Sequence, residues 1–505
     1  MPARVVVVGA GLGGLAAAIR LAAGGIDVTV LERDDRPGGR AGRIERAGYT
    51  FDTGPSVLTM PALLDELFAL NGESLADHLP LVRLDPAYRA RFHDGSELAI
   101  RGSVDAMVEE VRTVCGPDEA DRFVRFARRL QDLYDAEYAT FIDANFDSPL
   151  DLAARPLALA RLVRLGGFRT VHALVSSFLT DWRLVRLFTF QSMYAGMSPY
   201  EALGIYAIIA YMDAVAGVFY PPGGIHRVSE ELAGLAERCG VDLRLKDPVD
   251  TVTVAGDRAT GVRTAAGERL DADVVVCNPD LPMAYRDLLP PAATPRRVRS
   301  LRYSPSCVVV HLGLSGAPAG AAHHNIHFAE DYQASFDDIL AGRMQRDPSW
   351  FLTVPTVTDP GQAPPGGGVA FYLLPTPNLH GHPVRWSTQG PREMALAQQR
   401  LEAAGYGPIR ATTVTSEVVT PEDWAARGMA AGTPFAASHH FRQTGPFRPA
   451  NVAPKVAGVV FTGSSTTPGV GVPMVLVSGK LAAERVAELL PPPGGASGSA
   501  GRSGR

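Results

Sequence analysis

At 505 residues, with 46% hydrophobic and 20% charged side chains, the chain can bury large cores and is globular rather than disordered. A formal net charge of only −5 argues against a general nucleic-acid binder; of 48 basic residues only Lys246, Lys455 and Lys480 are lysines, an excess of arginine that points to genome composition rather than function. The four cysteines (Cys115, Cys239, Cys277, Cys307) contain no CxxC pair, which argues against a disulfide framework or zinc site and fits a reducing cytoplasm.

RVVVVG (4–9) has the Val-rich, Gly-closed form of a buried parallel strand, LGGLAAAIRLAAGG (12–25) that of a small-residue helix ended by glycines, and IDVTVLER (26–33) that of a second strand. Strand, helix and strand within this span predict a βαβ unit. VVVVGAGLGGLAAAI (5–19) imitates a signal peptide, but four glycines interrupt it. Gly9, Gly11 and Gly14 stand between strand and helix, and Glu32 ends the second strand. Gly9 suits the tight turn, Gly11 the approach of backbone to a pyrophosphate, and Gly14 close helix–strand packing. The helix N-terminus offers free N–H groups to phosphates, and Glu32 can accept hydrogen bonds from a ribose diol. The chain holds one such triplet, so one tightly bound dinucleotide is expected, with no second site for a nicotinamide.

Residues 104–146 and 150–220 read as largely helical. Within the latter, ALGIYAIIAYMDAVAGVFY (202–220) is apolar but carries Asp213, so a buried or interfacial helix is expected rather than a membrane span. Residues 155–190 hold six arginines (155, 161, 164, 169, 183, 186) against the single acid Asp181, interleaved with leucines and aromatics such as Leu157, Phe168 and Trp182. That pattern fits a membrane-surface element, with a solvated arginine-rich face over a core as the alternative. A helix at 225–240 follows, then short strands, including SCVVVHLGL (306–314) and GVAFYLLP (368–375). His323–His324 and His439–His440 are adjacent pairs, which do not share one face of a strand or helix, so no metal site is expected. PPPGGASGSAGRSGR (491–505) reads as a disordered tail.

RDDRPGGRAGR (33–43) resembles the segment that follows the second strand in flavin-binding oxidoreductases of the glutathione-reductase and amine-oxidase type. By that resemblance Gly38 and Gly39 let backbone N–H groups reach the dinucleotide, Arg40 neutralises phosphate, and YTFDTGPSVL (49–58), with Gly54, runs under the flavin ring. Together with VFYPPGGIHRVSEELAGLAERCGVDLRLKDPVDTV (218–252), HHNIHFAEDYQASFDDIL (323–340) and ASHHFRQTGPFRPANVAPKVAGVVFTGSSTTPGVGVPMVLVSGKLAAERV (437–486), the chain resembles the bacterial/fungal-type phytoene desaturases of the flavin amine-oxidase superfamily.

The resemblance implies FAD, an apolar carotenoid substrate, and successive desaturations of phytoene toward lycopene. It implies oxygen or a quinone as electron acceptor, and a peripheral position on the cytoplasmic side of a membrane. Dehydrosqualene, a partly desaturated carotene, or an amine or porphyrinogen handled by a related flavoenzyme stay open as substrates. The implied fold is a Rossmann-like FAD-binding domain (1–60, 218–285 and 451–490), a mixed-sheet substrate domain (61–103 and 286–450) and a helical, membrane-associating subdomain (104–217). Val249 falls in the second FAD-binding segment. FTGSSTTPGVGVPM (461–474) then closes the cofactor site: Gly463 turns the strand end, Gly469 and Gly471 admit the ring system, and Val472 and Pro473 open the next helix. For proton removal, SPLDLA (148–153) resembles a family segment with an Arg-x-Asp site; Asp151 is the candidate, with Leu150 in place of the Arg and a helix-capping role as the alternative.

Overall fold

The structure, a computed structural model, describes residues 2–381 and 384–490; the expected tail, 491–505, lies outside the described residues. Strand β1 (Arg4–Val8) is buried along VVVV, as expected for a strand covered on both faces. It is followed by helix α1 (Leu12–Ala23) and strand β2 (Asp27–Leu31). β1 pairs in parallel with β2 on one side and with Val274–Cys277 on the other. The full sheet runs Val459–Phe461, Val274–Cys277, β1, β2, Asp242–Arg244, all parallel. Three distant parts of the chain therefore share one sheet whose strand ends converge.

α1 is buried because its small residues admit close neighbours. A Cβ on Gly479, in the final helix Val472–Leu489, would lie 2.7 Å from the Ala16 side chain and 2.7 Å from the Gly13 carbonyl oxygen. Glycine at that crossing lets the last helix seat against α1, so both helices start beside the same sheet edge.

A seven-stranded sheet forms a second layer. Its order is Thr413–Val419, Ser306–Leu314, Gly368–Thr376, Trp350–Thr353, His324–His327, Tyr88–Arg91, Glu97–Ile100. Only His324–His327 and Tyr88–Arg91 pair in parallel. Ser306–Leu314 is buried at every residue, which accounts for a run that is apolar apart from Ser306 and His311.

The helical region differs from a set of long helices. Gly116 (φ 94°) separates Val104–Cys115 from Pro117–Glu137. The apolar run 202–220 is broken into a 3-10 turn (Gly204–Ala207), a short α-helix (Ile208–Tyr211) and a π-helical turn (Met212–Ala216), and ends at Gly217 with φ 101°. Phe219–Tyr220 then leaves as a strand. The sequence pattern conceals this because every piece is largely apolar and at least half-buried. No helix among the described residues is long and apolar enough to cross a membrane.

Candidate active site

The first glycine turn is built as its spacing predicts. The Gly9 N–H donates to the Leu31 carbonyl at 2.8 Å, bending the chain across the end of β2. A Cβ on Gly14 would collide with the Gly9 carbonyl oxygen, so Gly14 serves the packing of α1 on the turn and does not itself line the cavity. A Cβ on Gly11 would lie 2.5 Å from Asn278 Oδ1. α1 has no side-chain cap, which leaves its first N–H groups free for an anion.

Glu32 is buried, and its carboxylate accepts the Ala10 N–H at 2.6 Å and the Asp34 N–H at 3.0 Å. Burial raises its pKa, and these two hydrogen bonds partly offset the rise. The acid is thereby fixed in place with acceptor capacity left for a ribose diol.

Gly38 donates its N–H to the Ala10 carbonyl at 2.8 Å, which brings the 37–40 loop onto the first turn. Gly39 follows it along the cavity wall. Arg40 Nη1 donates to Ser464 Oγ at 3.0 Å, its Nη2 is 3.8 Å from Asp280 Oδ1, and its buried Nε has no partner. Gly54 lies against Arg40 so closely that a Cβ would strike the Arg40 carbonyl.

From the far end of the chain, the Gly463 N–H donates to Ser478 Oγ at 3.0 Å. Gly469 packs its Cα face on the His439 ring, and Gly471 (φ 117°) immediately precedes Val472, the first residue of an 18-residue helix that also lacks a side-chain cap.

One cavity of about 1140 Å³ is lined by Gly9, Gly11, Glu32, Gly38, Gly39, Arg40, Gly54, Val249, Gly463, Gly469, Gly471 and Val472. Two uncapped helix N-termini, an arginine with a free N–H and a buried acid on this wall fit a dinucleotide with a diphosphate, a ribose diol and a large neutral ring, which is the chemistry of FAD.

Asp151 does not join this cavity. Its carboxylate accepts the Asp147 and Ser148 N–H groups at 2.8 and 3.1 Å, completing a capping box in which Ser148 is the N-cap. Those backbone hydrogen bonds, Ser148 first, hold its pKa below the usual carboxylate range, so the group is a committed acceptor and a poor base. The structure therefore corrects the catalytic assignment: the capping alternative is what this residue does.

Several residues of the site carry no local sequence signal. Asn278, at the end of the Val274–Cys277 strand, donates to the Thr462 carbonyl at 3.3 Å. Asp280 accepts the Ala430 N–H at 2.9 Å and the Ser465 hydroxyl. Arg448 is buried and donates to the carbonyls of Thr466, Ser464, Ala437 and Gln443, tying the 461–471 loop to its neighbours. His439 is held neutral by burial; its Nδ1 meets the Ala195 carbonyl at 2.9 Å. Neither His pair belongs to a metal cluster among the described residues.

Beyond the glycine-lined wall the cavity continues between the seven-stranded sheet and the helical region. Val309, Phe351 and Phe371 line it from the sheet; Phe190, Ile209 and Met212 line it from the helices. Two acids interrupt this apolar lining: Glu137 and Asp213 are buried, and Glu137 Oε2 and Asp213 Oδ2 have no hydrogen-bond partner. Burial raises the Glu137 pKa well above the usual range and pushes Asp213 up to about 8, the Tyr88 hydroxyl partly offsetting the latter.

The cavity reaches the surface where Phe168 and Phe441 line it while remaining 42% and 49% exposed. Leu150 and Leu157 nearby are 78% and 86% exposed. The Arg-rich stripe divides. Arg155 donates to the Thr140 carbonyl, Arg183 binds Asp181, and Arg186 donates to the Ala329 and Glu330 carbonyls, so these three serve the fold. Arg161, Arg164 and Arg169 are exposed on the stretch that also carries the cavity-lining Leu159, Leu162 and Phe168.

A family model for flavin containing amine oxidoreductases matches residues 12–487. The chain is 48% identical to the phytoene dehydrogenase of Streptomyces griseus, over 95% of this chain and 94% of that one. It is 38% identical to the zeta-carotene-forming phytoene desaturase of Myxococcus xanthus, over 96% and 93%. It is 34% identical to a lycopene-forming phytoene desaturase of Paracoccus sp., over 95% and 96%. An oxidoreductase structure from Methanosarcina mazei superposes with a TM-score of 0.62 at 17% identity, over 96% of this chain and all of that one. Cyclohexylamine oxidase from Brevibacterium oxydans gives 0.60 at 20% identity, over 97% and 99%. The two solved structures agree in fold; the three sequence relatives agree over nearly the whole length. The chain belongs to the flavin containing amine oxidoreductase family, among the phytoene dehydrogenases and desaturases.

Proposed function

We propose that the protein is an FAD-dependent carotenoid desaturase that introduces double bonds into phytoene. The observation that carries this reading is the single cavity that joins a glycine-lined dinucleotide site to a long aromatic and aliphatic tunnel with an apolar mouth. A forty-carbon hydrocarbon offers no charge to grip, so recognition rests on shape and apolar contact, which such a tunnel supplies.

When bound, FAD supplies the oxidation by accepting a hydride equivalent from an allylic carbon. The chain's own residues do the rest. Arg40 and the N-terminus of α1 would hold the diphosphate, Glu32 would hold the ribose, the N-terminus of Val472–Leu489 would face the ring system, and Arg448 fixes the loop that closes over it. The seven-stranded sheet and the helices around Ile208–Tyr211 exclude water and align the polyene along the flavin.

The extent of desaturation is set, in this reading, by how far the polyene can slide past the flavin; zeta-carotene and lycopene are both products named for relatives. Oxygen or a quinone is the proposed electron acceptor. The exposed Leu150, Leu157, Phe168 and Phe441 with Arg161, Arg164 and Arg169 support docking on an anionic membrane surface, on its cytoplasmic side, from which the substrate enters. Phe168 and Phe441 pack edge to face, ring centroids 6.4 Å apart, so the two rings form one apolar edge of the mouth. Expression in bacteria that accumulate phytoene tests the function: yellow or red carotenes are expected, and phytoene left colourless beside flavin-loaded protein contradicts it.

A further inference from the structure

An apolar tunnel for a hydrocarbon has no structural use for a carboxyl. Burying one with an oxygen left unpaired is unfavourable, where a leucine or methionine in the same place would be favourable. Asp213 is nevertheless 1% exposed, lines the tunnel, and keeps Oδ2 free of any hydrogen bond. It stands in the π-helical turn Met212–Ala216, a backbone irregularity that aims a side chain an ordinary helix would not. Two tyrosines face it: Tyr194, itself on the tunnel wall, donates its hydroxyl to that of Tyr88 at 3.2 Å, and the Tyr88 hydroxyl in turn favours the ionised carboxylate. The arrangement supports one oxygen of an anion and leaves the other buried at the tunnel wall without a partner.

We propose that Asp213 is the base that takes the proton in each desaturation. This rests on the desaturase reading above. One carbon of the polyene gives up a hydrogen with its electron pair to the oxidised flavin. The C–H bond on the neighbouring carbon then breaks; its electron pair becomes the second bond of the new C=C, and its proton passes to Asp213 Oδ2. The substrate has lost two protons and two electrons: one proton and both electrons would leave as a hydride to the flavin, and the other proton turns the Asp213 carboxylate into a neutral acid. The negative charge of Asp213 also steadies the positive charge that hydride loss leaves on the polyene, in surroundings with little water to screen it.

The charged and titratable groups packed about Asp213 are few among the described residues. Tyr88 and Tyr194 face it directly. Tyr206 and Glu137 border the same cavity, with Tyr206 bonded to Thr444. Arg83 is directed to the Val215 carbonyl, and Glu110 of Val104–Cys115 is tied to Arg101; Asp105, Glu109 and Arg112 of that helix are exposed. Burial therefore dominates, and it pushes the Asp213 pKa up to about 8. A base so placed is strong once ionised, and the ionised fraction grows through the neutral range.

The test uses flavin-loaded enzyme and phytoene in liposomes without oxygen, following flavin bleaching. Asp213→Asn, nearly isosteric, is expected to keep its flavin and the absorbance shift on binding phytoene while bleaching at least ~100-fold more slowly. Asp213→Glu is expected to recover part of the rate. In the wild type the bleaching rate should rise with pH to a midpoint near 8, and the variant should lose that rise. Independently of substrate, the infrared difference between wild type and Asp213→Asn at mildly acidic pH should show the C=O stretch of one protonated carboxyl. Bleaching by Asp213→Asn at the wild-type rate, or absence of that carboxyl band, overturns the proposal. Phytoene left unreacted by the wild type contradicts the desaturase reading instead, so the two failures are told apart.

Discussion

The Glu32 carboxylate accepts the Ala10 backbone N–H at 2.6 Å, which locks the end of the second strand to the first glycine turn before any cofactor arrives. Half of the ribose site is thus preorganised. Glu32→Ala removes the acceptor and strands a buried N–H, a loss of ~1–3 kcal/mol. Flavin affinity is expected to fall about 10- to 100-fold, measured by titrating apo-protein with FAD and following flavin fluorescence. Glu32→Gln, which keeps one oxygen, should fall less.

At the other end of the site, Gly471 has φ 117°, and a Cβ there would meet nothing nearer than 3.9 Å, and then only its own helix start. A side chain would therefore project into the cofactor cavity. Gly471→Glu is expected to purify without flavin yet remain folded, with a backbone cost of about 1–3 kcal/mol. The flavin-to-protein absorbance ratio checks this; a stoichiometric ratio would move the loop away from the ring.

The mouth of the tunnel makes a membrane prediction. Leu157 is 86% exposed and Phe441 49% exposed, and burying such a side chain in lipid is worth about 1.5–3 kcal/mol. Leu157→Glu and Phe441→Glu should each lower co-sedimentation with anionic liposomes about tenfold or more, with flavin content unchanged. High salt should weaken binding only in part, because Arg161, Arg164 and Arg169 supply the screened share. Failure of the wild type to co-sediment at low salt would remove the docking surface from the account.

Glu137 gives a stability prediction with a definite sign. Burial raises its folded-state pKa well above 4.5. The folded protein holds a proton there that the unfolded chain releases. Its favourable contribution is fully present below about pH 4.5 and is lost as pH climbs through the raised folded value. Glu137→Gln has no proton to lose. Its melting temperature relative to wild type should therefore increase from about pH 6 to about pH 9, as a thermal unfolding series would show. A difference that does not change with pH would mean that Glu137 is ionised and paired.

The parts of the molecule legible in the sequence are those whose physics is local. Gly9, Gly11, Gly14 and Glu32 lie within one strand–helix–strand span, so their spacing alone carries the turn, the uncapped helix and the acid. The closing loop was legible from its glycines and from the strand and helix on either side of it. The Arg40–Ser464 hydrogen bond joins residues 424 apart, and Asp280 meets Ala430 and Ser465 only after the strands are sorted; no periodicity encodes such contacts. Asp151 is ambiguous in the sequence because an acid near a helix start serves capping and catalysis with the same residue type. The Arg stripe at 155–190 combined two groups of arginines that tertiary contacts separate. Asp213 was visible only as an interruption of an apolar run, and its meaning depends on the π-helical turn and on Tyr88, 125 residues earlier.

The central claim is that one cavity holds FAD beside a hydrocarbon. Flavin-loaded protein mixed with phytoene liposomes without oxygen should bleach its flavin absorbance and yield, on chromatography, a carotene with at least one additional double bond. The same preparation should leave simple amines untouched. Unbleached flavin and unchanged phytoene, with oxidation of an amine instead, would contradict the account.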